Sequence, residues 1–291
     1  MAGRGSLRLP PVTTAQALFI GLLQGATELF PVSSLGHAVV LPSVLRWGYR
    51  QSDPAFLPFL VLLHLGTATA LLILYWRDWV RIVAGFFRAA IRGRLEGQDE
   101  RMAMLLVVGT VPTGVVGAFL ESPIKKLFAT PVVAAVFLLV NGLLLLGAEL
   151  LRRRDERRRG QAEGDYEAVQ ELSFRAALIV GACQVLALIP GISRSGVTIA
   201  GGLVAGLRHQ EAARFSFLLA TPVIGAAGLL EVPELFKPGN PLGLYTAAAV
   251  LSGLAAYASA RFLIRWFRAG RLDPYGVYCL AVGLGSLALL R

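Results

Sequence analysis

Charge is what this sequence has least of. Asp, Glu, Lys and Arg make up 16% of 291 residues, against roughly 25% in soluble domains. A water-soluble chain with so little charge could not cover its surface with polar groups. A bilayer removes that requirement, and a mean hydropathy of +0.64 agrees. Acid is the scarcer sign: 18 Asp and Glu stand against 28 Lys and Arg, a net +10. The excess does not point to nucleic acid. The basic residues fall in short blocks between apolar runs, as in cytoplasmic loops of membrane proteins. No exposed basic face with base-stacking groups accompanies them. Cysteine is limited to Cys183 and Cys279. Neither belongs to a CxxC or Cys/His cluster, and both read as small hydrophobes in packed helices. A cleavable signal peptide is also not expected. The first apolar stretch runs into Glu28 and a Pro/Ser loop with no small-residue cleavage site.

Long apolar runs are plentiful. A spanning helix needs about 20 mostly apolar residues, and six segments qualify: 58–76, 103–120, 131–151, 214–230, 243–264 and 274–290. Two further regions, 15–46 and 174–207, are each broken by a Pro/Ser/Gly turn: TELFPVSSLGH in the first, LIPGISRSG in the second. Each half is too short to span. Irregular backbone at membrane depth is tolerated only where protein or a wet cavity surrounds it. Both regions are therefore expected to be re-entrant helix–loop–helix hairpins. The predicted fold is an all-α polytopic membrane protein with six transmembrane helices and two such hairpins.

Basic blocks at 77–101, 152–159 (RRRDERRR) and 261–271 set the orientation, taken as cytoplasmic. Parity is satisfied if the second hairpin is re-entrant, and both termini then lie outside. SSLG at 33–36 matches SRSG at 193–196, 160 residues on. Each copy comprises one hairpin and three spans, so the second copy is inverted. The expected layout is one membrane domain over 1–291, with inverted repeats at 12–151 and 174–291 and a basic cytoplasmic linker at 152–173. Inverted repeats with broken helices are also the architecture of transporters.

Ionisable groups in the bilayer core cost at least about 2.5–3.5 kcal/mol each, and here they gather at the hairpins. In QGATELFPVSSLGH, Gln24 and Glu28 are four apart and share a helix face. Pro31 ends that helix. Ser33, Ser34 and His37 follow at the start of the next. Capping by Ser33 or Ser34 is the structural alternative. In PGISRSGVT, Arg194 is a permanent cation in an apolar region, flanked by Ser193, Ser195 and Thr198. Gly191 and Gly196 permit close backbone approach. Helix N–H groups plus a guanidinium fork suit a phosphate. The alternative is a structural Arg194–Glu28 pair, which an empty phosphate site could also hold.

Weaker candidates read as structural. His64 in FLVLLHLGTAT is expected to be a packed helix contact, and His209 to lie in a solvated charged loop. Glu149 is expected to snorkel, and Lys125 and Lys126 to face the outer surface. RRRDERRR reads as an orientation signal in contact with anionic lipid.

These motifs resemble those of the undecaprenyl-diphosphate phosphatases, the bacitracin-resistance protein family. That family carries an (E/Q)xxxE segment, then PVSSxGH, then PGxSRSG; here they stand as QGATE, PVSSLGH and PGISRSG. The resemblance implies hydrolysis of undecaprenyl diphosphate to the monophosphate carrier of cell-wall synthesis, with bacitracin resistance. It places the chain in the bacterial inner membrane among lipids, where a homodimer is compatible. It implies a divalent cation, Mg²⁺ or Ca²⁺, at Glu28 and Gln24, although Gln24 offers no anionic ligand. It carries the motif serine onto Ser34, the histidine onto His37 and the arginine onto Arg194. Ser34 is the expected nucleophile, with a directly attacking water as the rival; His37 would orient Ser34 or protonate the leaving phosphate, and Glu28 would coordinate the metal or, as the less favoured role, act as base. Ser33, Gly191, Ser193, Ser195, Gly196 and Thr198 would surround the phosphate, in a pocket opening to the outer, periplasmic side. A transporter or flippase of polyprenyl phosphates is the rival class. The lipid phosphatases built on paired histidines fit poorly, since no second His stands in a suitable motif.

Overall fold

The computed structural model describes residues 13–47, 56–127, 130–159, 168–236, 240–268 and 270–290, and every regular element among them is helical. The first broken region forms α1 (Thr14–Glu28) and α2 (Ser34–Val44). Then come α3 (Phe56–Leu74), α4 (Trp76–Arg92), α5 (Gln98–Leu127) and α6 (Pro131–Arg159). The second broken region forms α7 (Phe174–Val185) and α8 (Arg194–Val204), followed by α9 (His209–Leu235), α10 (Leu242–Trp266) and α11 (Asp273–Leu289).

Among the described residues, four helices are long and apolar enough to cross a membrane: α3, α5 to Phe119, α6 and α10. The chain is thus a multi-pass helical membrane protein. α1 has 15 residues, about 22 Å at 1.5 Å per residue, short of a hydrocarbon core of about 30 Å. α2, α7 and α8 are shorter still. The turns follow from local chemistry. Thr13 opens α1 with a capping box to Gln16. Ser33 and Ser193 cap α2 and α8, each accepting from a glycine N–H three residues on at 3.1 Å.

Helix contacts fall in matched pairs. α1 lies along α10 as α7 lies along α5, while α3 packs on α9 and α6 on α11. Glycines permit the closest crossings. A Cβ on Gly25 would sit 2.0 Å from the Ser252 carbonyl oxygen on α10, and one on Gly181 would sit 2.2 Å from that of Gly109 on α5.

Three regions differ from expectation. Much of the 77–101 block, expected to be loop, is α4, a strongly amphipathic helix. Trp76, Val80, Val83, Phe86, Phe87 and Ile91 are exposed along it, interleaved with arginines, as in helices lying in a membrane interface. RRRDERRR continues α6 as helix to Arg159; residues 160–167 of the expected linker lie outside the described residues. Glu149 and His209 are neither snorkelling nor solvated. Both are buried. His209 Nε2 lies 3.0 Å from Glu149 Oε2, Arg152 bonds the same ring, and Glu149 also accepts the Leu272 N–H. Arg153 pairs with Asp273. This network ties the ends of α6, α9 and α11 together, because a carboxylate removed from water requires cationic and N–H partners. The side chains of Lys125 and Lys126 lie outside the described residues.

Candidate active site

The two turns meet at Glu28, the last residue of α1. Its carboxylate is buried and receives a donor from every side. Oε2 accepts from Gln24 Nε2 at 2.8 Å and from Ser34 Oγ at 2.5 Å. Oε1 accepts from Arg194 Nη2 at 2.9 Å. Gln24 reaches it because residues four apart share a helix face. Ser34 reaches it because Pro31 ends α1 and the chain reverses. Ser33 holds the reversal at φ 65°, a left-handed conformation uncommon for residues other than glycine. Arg194 is 166 residues from Glu28 and reaches it because α8 packs its N-terminus against the first turn.

Cross-links between the turns explain that register. Ser195 Oγ donates to the Phe30 carbonyl at 2.9 Å. Asn141, fully buried on α6, bridges both: its amide N–H donates to the Pro31 carbonyl at 3.0 Å, and its Oδ1 accepts the Ser193 N–H at 2.9 Å. Gly191 has φ 103°, and a Cβ there would lie 2.3 Å from the Ala134 carbonyl oxygen, so α6 fits under the second turn only because the residue is glycine.

A cavity of about 220 Å³ opens beside the carboxylate, lined on its polar side by Glu28, Ser33, Ser34, His64, Ser193 and Arg194. Leu57, Leu60, Val61, Val223, Ile224 and Ala227 form much of its apolar wall. The first residues of α2 and α8 both line it, so two helix N-termini direct their positive ends at one space.

The structure brings together Glu28, Ser34, Arg194, Ser33 and Ser193, with Gln24 behind the carboxylate. Others face elsewhere. His37 is turned away from Ser34, its ring nitrogens 2.7 Å from the Ser33 carbonyl and 2.9 Å from the Tyr278 hydroxyl. The Ser195 hydroxyl is engaged by turn carbonyls. The Thr198 hydroxyl is taken by Ser216 and the Arg194 carbonyl. Gly191 and Gly196 shape the turn and do not line the cavity.

Two residues of the candidate site were not assigned to it from the sequence. His64, expected to be a packing contact, lines the cavity with Nε2 3.2 Å from Glu28 Oε2. The signal was its place in mid-span. Asn141 likewise stands alone in the apolar run VFLLVNGLLLL.

The donor set does not match a divalent cation resident on the protein. Glu28 is one carboxylate, and both its oxygens already face cations or N–H donors. Gln24 turns its N–H groups toward Glu28, leaving Oε1 buried without a partner. Among the described residues, no group of three His, Cys, Asp or Glu side chains is placed to hold a metal.

Fold and site define a class: a multi-pass helical membrane protein in which two helical turns enclose a cationic, hydroxyl-bearing pocket. The comparisons with known proteins make this specific. Residues 17–285 match the family model "Bacitracin resistance protein BacA", and the chain belongs to that family. It is 46% identical to an undecaprenyl-diphosphatase of Mycolicibacterium paratuberculosis, over 94% of this chain and 96% of the relative. It is 47% identical to undecaprenyl-diphosphatase 2 of Chromobacterium violaceum, over 94% and 97%. With the undecaprenyl-diphosphatase of Acidiphilium cryptum it shares 45%, over 96% and 99%.

Proposed function

We propose that this protein hydrolyses undecaprenyl diphosphate to undecaprenyl phosphate and inorganic phosphate. It would thereby return the lipid carrier to cell-wall synthesis and confer bacitracin resistance. The observation that carries the reading is the Ser34–Glu28–Arg194 arrangement at the mouth of two helix N-termini, in a family whose relatives bear that name.

Phosphoryl transfer asks for charge neutralisation on the equatorial oxygens and an in-line nucleophile. Arg194 and the N-termini of α2 and α8 supply the first. Ser34 is the nucleophile, attacking the terminal phosphorus. Its proton has one short path, to Glu28 Oε2 at 2.5 Å. In the resting site the Arg194 guanidinium bonds Glu28 Oε1 at 2.9 Å. When the diphosphate draws the guanidinium onto its own oxygens, that hold is released and the carboxylate accepts the proton. Water then cleaves the phosphoserine. The divalent cation that the resemblance implies would be held by the diphosphate oxygens, since the protein's own described residues do not fit it.

The apolar cavity wall takes the first isoprene units, and the rest of the tail stays in lipid. Six spans and two re-entrant hairpins in inverted repeats are the arrangement that the matched helix contacts favour. The cavity lies against the first half of α3 and the second half of α9. The basic α4 and the charged ends of α6 and α10 belong to the other end of the bundle. This supports a pocket open to the outer face of the bacterial inner membrane.

The test is phosphate release from the C55 diphosphate by purified protein in detergent, where no second compartment exists. Release that is lost in Arg194→Ala supports an enzyme. Binding without release supports a carrier and sinks the proposal.

A further inference from the structure

The two nitrogens of His64 face two acceptors. Nδ1 lies 2.7 Å from the Leu60 carbonyl, and Nε2 lies 3.2 Å from Glu28 Oε2. Neutral imidazole carries one N–H and can satisfy only one of them. Both contacts are hydrogen bonds when the ring carries two protons, as imidazolium. The carbonyl of Leu60, one turn back on α3, orients the ring so that Nε2 faces the cavity beside Glu28.

Arg194 Nη2 holds the other oxygen of the same carboxylate at 2.9 Å. With the ring doubly protonated, one buried anion faces two cations, and the pocket carries an excess positive charge where α2 and α8 begin. The excess exists because position 24 is Gln, a neutral side chain where the (E/Q)xxxE segment allows an acid. A plain packing role would not aim a ring nitrogen at a carboxylate that Arg194, Ser34 and Gln24 already satisfy.

We infer that His64 is a second phosphate-binding cation of this site. Its imidazolium and the Arg194 guanidinium leave Glu28 for the oxygens of the incoming diphosphate. The inference rests on the phosphatase reading above. In the transfer step the Ser34 Oγ–phosphorus bond forms and the bond from that phosphorus to the bridging oxygen breaks. The electron pair departs with the prenyl phosphate, the Ser34 proton passes to Glu28, and His64 keeps both of its protons. Two cations on the transferring group match its charge better than one, and neither must be recruited from solution.

The experiment compares wild type, His64→Gln and His64→Lys in detergent. Binding of inorganic diphosphate is measured by calorimetry in divalent-free buffer, and phosphate release from the C55 substrate is followed across a Mg²⁺ titration. Gln keeps a donor without the charge, and Lys restores the charge. The expected result is diphosphate binding at least tenfold weaker in His64→Gln, with raised KM and lowered kcat at every Mg²⁺ concentration, and recovery of binding in His64→Lys. Binding within twofold of wild type in His64→Gln overturns the inference. So does a defect that vanishes at high Mg²⁺, which would mark His64 as a metal ligand. If His64→Gln does not fold, a folded His64→Lys decides alone: wild-type binding supports the second cation and lost binding refutes it. A wild type that binds diphosphate but releases no phosphate sinks the phosphatase reading and leaves the binding result standing.

Discussion

Ser34 and Arg194, each the first residue of the helix after its turn, bond the two oxygens of one carboxylate, at 2.5 Å and 2.9 Å. They occupy corresponding positions of the two similar turns. One half of the chain thus presents a hydroxyl and the other a guanidinium to Glu28. Removing one member of a buried charge pair costs about 3–5 kcal/mol, because the other is left uncompensated. Glu28→Leu should therefore lower the thermal unfolding temperature in detergent and abolish turnover. Glu28→Leu combined with Arg194→Leu should regain much of the stability and none of the activity. Equal unfolding temperatures for wild type and Glu28→Leu would show that the pair carries no structural charge balance.

Asn141 holds both turns at once, through the Pro31 carbonyl and the Ser193 N–H. Asn141→Leu leaves the Ser193 N–H buried without its partner, at about 1–3 kcal/mol, and the Pro31 carbonyl with only the long 3.8 Å contact of the Cys279 thiol. Asn141 touches no reacting atom, so the variant should lose rate by misplacing Ser34 relative to Arg194. The expected signature is a large fall in kcat with a smaller change in KM, read from steady-state phosphate release. An unchanged kcat would remove Asn141 as a positioning residue.

Gly191 combines a positive φ with contact against α6. Gly191→Ala adds strain of about 1–3 kcal/mol, and its Cβ must push the second turn off α6. Detergent-solubilised yield and unfolding temperature should both drop more than for Gly117→Ala, where a Cβ meets nothing within 4 Å. Similar behaviour of the two variants would contradict the close approach.

The Glu149–His209–Arg152 network lies at the charged end of the bundle, apart from the cavity. His209→Ala should lower the unfolding temperature, since it leaves Glu149 and Arg152 short of a partner in a buried setting. KM for the lipid diphosphate should stay at the wild-type value. A raised KM with unchanged stability would tie this network to the substrate site instead.

Much of the site was legible in the sequence because burial makes charge conspicuous. Glu28 and Arg194 stand out in apolar runs, and Pro31 and Gly191 mark where helices break. The residues missed share one physical reason: their meaning depends on partners remote in the chain. His64 is one polar residue in an apolar run, which packing alone can explain, until α3 is laid beside α1. Asn141 is neutral and gives no charge signal. The arginines of α4 masked an apolar stripe at helical spacing. The basic block after Glu149 masked a buried network whose other members sit on α9 and α11. His37 misled in the opposite way. Its motif position adjoins Ser34, but a helix start turns the ring to Ser33 and Tyr278.

In the proposed mechanism Ser34 performs the attack, with Glu28 and Arg194 beside it. Its most direct test is the initial rate of phosphate release by Ser34→Ala against wild type, at equal folded protein and saturating C55 diphosphate. The expected loss is about 10³-fold or more, as when a nucleophile is removed from a cooperating set. Turnover by Ser34→Ala at more than a few percent of the wild-type rate would mean that water attacks directly, and would contradict it.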